Sequence, residues 1–297
     1  MTTSETNPRK PGLLAEFFGP LLPARFRADI PTVPVVRLAG VIGAGVPLRP
    51  GLTLGTVARS LDKAFGMRGA RAVALLINSP GGSPAQSHLI YRRIRQLAEE
   101  KKLPVFAFVE DLAASGGYMI ACAADEIVCD TFSIAGSIGV VGGSFGFVNL
   151  IEKIGVERRV YTSGDRKVML DPFLPEKPED VQRIKALQKK IHDDFIALVK
   201  ERRGTRLKGD DATLFSGEFW TAAVARDLGL VDAIGDLRSV LRARYGDKVR
   251  TPLIEMSRGL LGRRIPGLSR MAATLESHGD DMISLLEARA WWSRYGF

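Results

Sequence analysis

The sequence predicts an α/β protein built on a mostly parallel sheet. From about Pro34, apolar β-branched runs alternate with amphipathic stretches of helical period. One run, RAVALLINS at 71–79, is apolar almost throughout, as a strand covered on both faces is. Glycine, 31 of 297 residues, exceeds the ordinary ~7% and clusters just after such runs. Strands alternating with helices imply right-handed crossovers and sites at the strand ends.

The elements follow in order. VPVVRLAGVIG (33–43) is a strand by its β-branched content. Residues 52–66 form a helix with Leu54, Val57, Leu61 and Phe65 on one face. The strand 71–79 ends at Pro80-Gly81-Gly82, a sharp turn. A helix covers 84–100 and a strand covers 103–111. A helix starts in 113–125, and a short strand covers 126–130. Gly136, Gly139, Gly142, Gly143 and Gly146 mark a loop that lines a cleft. Val160 and Tyr161 read as a strand before a polar turn.

The clearest helix is 179–203, where Val181, Ile184, Leu187, Ile191, Phe195, Leu198 and Val199 keep a 3–4 spacing. Pro178 stands at its start and Gly204 at its end. Short helices at 221–229 and 237–245 stop at Gly229 and Gly246. The division expected is an arm over 1–31, one domain over 32–251, and a tail over 252–297. The tail holds an amphipathic piece (Met282, Leu285, Leu286) and ends in WWSRYGF.

At roughly 150 residues per domain, the length allows one large domain or two small ones. A composition of 45% hydrophobic and 25% charged residues excludes a disordered tail protein, a collagen and a disulfide scaffold. Cys122 and Cys129 read as buried free thiols, in keeping with a reducing compartment. The net charge of +9 favours anionic partners, but the basic residues lie in scattered pairs. That pattern is a solvated basic surface, with no nucleic-acid module. No apolar stretch reaches the ~18 residues of a bilayer span. The segment Leu13 to Phe26 is broken by Glu16, Pro20, Pro23 and Arg25. The expectation is a cytoplasmic protein that touches the inner face of the membrane through its amphipathic ends.

Ser115 is the strongest candidate for chemistry. It follows an apolar strand and opens a helix in Ala114-Ser115-Gly116-Gly117, so its hydroxyl stands at a turn. The Gly116 N–H next to it suits a developing oxyanion. The plainer reading is a helix N-cap serine. Asn78-Ser79-Pro80-Gly81-Gly82 ends the neighbouring strand, and the Gly82 N–H suits a second oxyanion donor. The plainer reading there is an ordinary turn.

A base for Ser115 is harder to find. His88 lies near the glycine turn, His192 on the solvent side of the long helix, and His278 in the tail. None follows the serine closely. A lysine serves if its pKa falls from ~10.4 toward ~7, about 4 kcal/mol, which burial supplies. Lys167, in Ser163-Gly164-Asp165-Arg166-Lys167-Val168, fits best, against the plainer reading of a surface lysine in a polar turn.

INSPGG (77–82), DLAASGGYMIACAAD (111–125), AGSIGV (135–140), TSGDRK (162–167) and GEFWTAAVARDLGLVD (217–232) stand in one order. Together they resemble the signal peptide peptidase A family of serine-lysine peptidases, over about residues 34–250. The resemblance implies a Clp/crotonase-like spiral of ββα units. It also implies Ser115 as nucleophile, Lys167 as general base, and Ser137 as the hydroxyl orienting the lysine amine. Gly82 and Gly116 match the oxyanion donors. In the family, the serine and lysine of one site can come from neighbouring subunits of a ring-like homo-oligomer. The implied reaction is peptide hydrolysis through an acyl-enzyme, on hydrophobic peptides such as cleaved signal peptides, without cofactor or metal. Many members carry a membrane anchor or two copies of the fold, and this chain shows a single copy.

Tyr118, Ile138 and Val140 are the apolar residues near the site expected to form a substrate pocket. Two other functions compete. A catalytically silent member would bind peptides or scaffold a membrane complex. A crotonase-type enzyme would act on an acyl-CoA and use the oxyanion hole without the serine-lysine pair.

Overall fold

β2 (Val73–Ser79) is buried at six of its seven positions. It lies between β1 (Val35–Ala39) and β3 (Val105–Ala114), parallel to both, which explains its unbroken apolar run. The computed structural model describes residues 30–43, 51–164, 166–254 and 289–296. Their strands form one sheet of eight, in the order β6-β5-β3-β2-β1-β8, with β4 pairing β3 and β7 pairing β4. The further strands are β4 (Glu126–Cys129), β5 (Ile134–Gly136), β6 (Phe219–Thr221), β7 (Ala233–Ile234) and β8 (Leu253–Ile254). Every pairing is parallel except β5 with β6. The α/β, mostly parallel architecture expected from the sequence is the one observed.

Side-chain caps mark the starts of several helices. α1 (Leu54–Phe65) starts at a Thr53/Thr56 capping box. α2 (Pro84–Lys101) starts at Ser83 with proline in its first turn and stops at Lys102 in the left-handed region. The short α3 (Gly116–Ala121) and α4 (Val148–Lys153) follow. α5 (Pro178–Arg203) carries Glu179 and Asp180 in its first turn and Lys200, Arg202 and Arg203 in its last, matching its dipole at both ends. α6 (Asp211–Leu214), α7 (Ala222–Asp227) and α8 (Leu237–Tyr245) complete the set, and residues 289–293 are helical.

Side-chain alternation along β3 divides the core. Ala107, Val109 and Ala113 join the main cluster with Ile90, Ile94, Tyr118 and Phe195. Phe106 and Phe108 face the other side, against Leu241 of α8. Further along that side, Leu112 and Ala114 meet Trp292 and Tyr295.

Several expectations change. β3 runs to Ala114 because Leu112, Ala113 and Ala114 pair with β5, so the following helix begins only at Gly116. Val160 and Tyr161 form no strand and stay exposed, since among the described residues no strand pairs with them. On α5 the apolar spacing buries only the C-terminal half, through Phe195, Leu198 and Val199; Leu187 and Ile191 remain exposed. The sheet extends through Ile254, because β8 pairs with β1. Leu13–Phe26, Met282, Leu285 and Leu286 lie outside the described residues. Among the described residues no helix is long and apolar enough to cross a membrane.

Candidate active site

β3 makes the site by changing partners. Phe106–Val109 pair with β4, then Leu112–Ala114 pair with β5. Ser115 follows at once, with φ 52° and ψ −120°, a backbone state that costs an L-residue about 1–3 kcal/mol. Its N–H donates to the Gly136 carbonyl at 2.9 Å, and its carbonyl accepts the Met119 N–H at 3.0 Å. The serine therefore sits on a sharp strand-to-helix turn, half-buried. Ser115 is the N-cap by position, but no side-chain capping bond ties its hydroxyl to the helix.

The turn after β2 packs directly on this elbow. A Cβ on Gly81 would lie 2.9 Å from Ser115 Cβ and from Gly116 N. Ser79 Oγ fixes the turn, donating to the Gly40 carbonyl at 2.7 Å and accepting the Gly81 N–H at 3.2 Å. Ile42 N–H donates to the Gly81 carbonyl at 2.8 Å, and Ser83 N–H donates to the Ile42 carbonyl at 2.7 Å. In that parallel bridge the groups flanking Gly82 face Ile42, so the Gly82 N–H faces the opposite side. Gly82 has φ +141°, and a Cβ on it would lie 2.0 Å from the Ile42 carbonyl oxygen. A Cβ on Gly116 would lie 2.3 Å from Ser87 Oγ. Close approach thus requires glycine at Gly82, against the Ile42 backbone, while at Gly116 the clash is with the end of the Ser87 side chain. Among the described residues neither N–H has a backbone acceptor outside the regular ladders.

Ser137 stands beside them. It follows β5 with φ 53°, and its N–H donates to the Glu218 carbonyl at 2.6 Å. The structure thus gathers Ser115, Gly82, Gly116 and Ser137 at one end of the sheet. It does not bring Lys167 to them. Lys167 is exposed in the segment after α4, held by its own N–H to the Gly164 carbonyl at 3.1 Å. Among the described residues no hydrogen bond joins its amine to Ser115 or Ser137.

The expected pocket residues fare differently. Tyr118 is 0% exposed and its hydroxyl donates to the Leu230 carbonyl at 2.7 Å. Ile138 is also 0% exposed. Both fill the core beneath the site and offer no open wall, because their helix and loop turn them inward. Val140 is half-buried at the start of the glycine-rich segment. Beyond it, Phe145, Leu170, Leu174, Val181 and Ile184 line a cleft of about 600 Å³.

His192 departs from its expected solvent-facing place: Nε2 donates to the Ile138 carbonyl at 2.9 Å. His88 is exposed and stacks on Tyr91. Cys122 and Cys129 are free and buried, as expected, and burial pushes each thiol up to about 12.

Sequence reasoning missed Ile42, whose backbone frames the Gly82 turn, and Tyr295, whose hydroxyl donates to Ser137 Oγ at 3.1 Å. The aromatic run WWSRYGF was the one available signal for the second, but nothing in it names a partner.

Residues 97–248 match peptidase family S49. The chain is 57% identical over 293 residues to a Brucella abortus protein named Na(+)/H(+) antiporter NhaA, covering 96% of this chain and 39% of that one. It is 32% identical to the putative protease slr0021 of Synechocystis, covering 74% of this chain and 79% of that one. It is 34% identical to the chloroplastic serine protease SPPA of Arabidopsis thaliana, over 63% of this chain and 28% of that one. Among solved structures, a mutant of the 1510-N membrane-bound stomatin-specific protease aligns over 77% of this chain and 94% of that one. That alignment has 18% identity and a TM-score of 0.43.

Proposed function

The chain belongs to peptidase family S49, and from that premise we propose that it is a serine endopeptidase with Ser115 as nucleophile and Lys167 as general base. One observation carries the reading. A serine on a strained strand-to-helix elbow packs against the Gly81-Gly82 turn, and among the described residues neither the Gly82 nor the Gly116 N–H has a backbone acceptor outside the regular ladders.

In the proposed reaction, neutral Lys167 Nζ takes the Ser115 hydroxyl proton as Oγ bonds to the scissile carbonyl carbon. The carbonyl oxygen becomes an oxyanion held by the Gly82 and Gly116 N–H groups. The intermediate collapses, the C–N bond breaks, and the lysine ammonium protonates the leaving amine. Water, deprotonated by the same lysine, then hydrolyses the acyl-serine ester. Ser137 accepts a hydrogen bond from Nζ–H and turns the nitrogen lone pair toward Ser115.

Lys167 is exposed and unbonded to Ser115 within the chain, which favours supply of the base by a neighbouring copy. Exposed Leu150, Ile154, Val156 and Val160 on the same segment give such a homo-oligomer apolar surface to bury. The substrates proposed are hydrophobic peptides, including cleaved signal peptides, with Val140 on the approach to the cleft. The Brucella relative bears a transporter's name on a polypeptide of which this chain spans 39%, and the place of work proposed is beside a membrane, on its inner, cytoplasmic face.

The test is hydrolysis of hydrophobic fluorogenic peptides by the purified chain, Ser115→Ala and Lys167→Ala, all at one oligomeric state. Cleavage by the wild type alone is the expected result. Peptide binding without cleavage, unchanged by Ser115→Ala, would replace this reading with a binding scaffold. Turnover of an acyl-CoA that survives Ser115→Ala would replace it with crotonase-type chemistry.

A further inference from the structure

Ser137 has a second neighbour that the reaction above does not use. Tyr295 Oη–H donates to Ser137 Oγ at 3.1 Å. Tyr295 is 9% exposed, packed on Leu112 and Ala114 together with Trp292. Its ring meets Phe219 edge-on at 4.9 Å between centroids. Ala114 directly precedes Ser115, and Phe219 pairs with Gly136, directly before Ser137. Residues 289–296 therefore cover one sheet face beneath both serines, and one phenol hydroxyl reaches through to the site.

The geometry points to Tyr295 as a positioning residue of the peptidase site: its hydroxyl fixes the Ser137 hydroxyl so that an Oγ lone pair faces the Lys167 amine. This rests on the serine-lysine reading above. The backbone of Ser137 is already held, by the Glu218 carbonyl and by a left-handed φ. Its Oγ, however, has three staggered wells to choose from. A bond from Tyr295 selects one of them. A buried phenol also needs a partner, and Ser137 is the one that meets it among the described residues.

The chemistry is compatible with lysine binding. A serine oxygen has two lone pairs. Tyr295 takes one, and the other is left for an Nζ–H of the lysine. With that N–H engaged, the nitrogen lone pair is directed to Ser115 rather than to Ser137. Tyrosine and lysine thus occupy different lone pairs of one oxygen and need not compete.

The experiment compares wild type, Tyr295→Phe, Ser137→Ala and the double variant. Each is assayed for kcat and KM on one peptide and for labelling of Ser115 by a fluorophosphonate. Tyr295→Phe keeps the ring on Ala114 and Phe219 and removes only the hydroxyl. The loss of one hydrogen bond of about 1 kcal/mol predicts a kcat about fivefold lower with KM unchanged. The labelling rate is expected to fall by the same factor, and the double variant to be no slower than Ser137→Ala alone. An unchanged kcat, or a loss that adds fully to that of Ser137→Ala, overturns the proposal. A raised kcat also overturns it and marks residues 289–296 as an obstruction of the site. A KM rise accompanied by altered oligomeric state would show that the hydroxyl merely seats the segment, and would overturn it too. Wild type that is labelled while Tyr295→Phe behaves identically sinks this inference alone. Wild type that neither hydrolyses nor labels sinks the serine-lysine reading with it.

Discussion

Ser115 and Ser137 stand in register, each one residue beyond the last pair of the β3–β5 ladder, Ala114 with Gly136. Both have left-handed backbones, with φ 52° and 53°. The Ser115 N–H to Gly136 carbonyl bond extends the ladder into the elbow. Paired strands lie about 4.8 Å apart, so the sheet itself sets how far apart these two hydroxyl-bearing residues stand. The strain at each is held in place by a ladder that neither serine can leave alone.

If the base comes from a neighbouring copy, inactive chains should rescue each other. Ser115→Ala supplies an intact lysine and Lys167→Ala an intact serine. Mixing and re-forming oligomers from the two is expected to restore a measurable fraction of wild-type turnover. Each variant alone should be about 10³-fold slower or worse. Activity that stays at the level of either parent, with mixed oligomers verified, would place serine and lysine in one chain.

The two glycines proposed as oxyanion donors should resist a methyl group for different steric reasons. Gly82→Ala meets the Ile42 carbonyl and a φ of +141°, and is expected to cost more than about 2 kcal/mol of stability along with all activity. Gly116→Ala meets the Ser87 hydroxyl, a removable atom. Adding Ser87→Ala to Gly116→Ala is therefore expected to recover part of the thermal midpoint. No recovery would mean that backbone, not Ser87, limits that site.

A clamp far from the serines should govern acid stability. Arg203, 2% exposed, donates through Nη1 and Nη2 to Asp232 at 2.8 and 2.9 Å, and through Nε to the Gly229 carbonyl. Burial raises the Asp232 pKa, but hydrogen bonds from Arg203 and the Ile127 N–H outweigh it and leave the pKa lowered. A lowered folded pKa stabilises above the unfolded value of ~3.9 and loses that contribution as pH falls through the folded value. Stability should thus fall below about pH 4, and less steeply in Asp232→Asn, whose neutral-pH cost is expected to be about 3 kcal/mol. Urea melts of both proteins from pH 3 to 7 check this. Parallel curves would remove Asp232 from the acid limb.

Cys122 and Cys129 should be inert in the folded chain. Burial lifts both thiols to about 12, so almost no thiolate exists at pH 8. Alkylation by iodoacetamide is expected only as denaturant unfolds the protein. Rapid labelling of either cysteine in native buffer would contradict the packing of α3 and β4 described above.

Much of the fold was legible because local physics and tertiary packing agree in it. The apolar run at 71–79 reads as a strand covered on both faces, and 84–100 as a helix, and both are observed. Ser115 was legible by its setting, a serine between an apolar strand and two glycines. Where the two levels part, the sequence misleads. Val160 and Tyr161 have strand character, but among the described residues no strand pairs with them. Tyr118 and Ile138 lie near the serine in sequence and are turned into the core by their elements. His192 gains a carbonyl from a loop 54 residues away.

By itself the sequence determined the α/β class, the longer helices, the glycine turns, and which residue types could attack, accept or hold charge. These depend on propensity, periodicity and chemistry, which act over a few residues. Only the tertiary structure decided that β3 leaves β4 for β5, setting Ser115 beside Ser137. It also decided that Ile42 brackets Gly82 from one side, and that Tyr295 reaches Ser137 from residues 289–296. Those relations join segments up to 158 positions apart, through ladders and buried contacts whose partners no local pattern encodes.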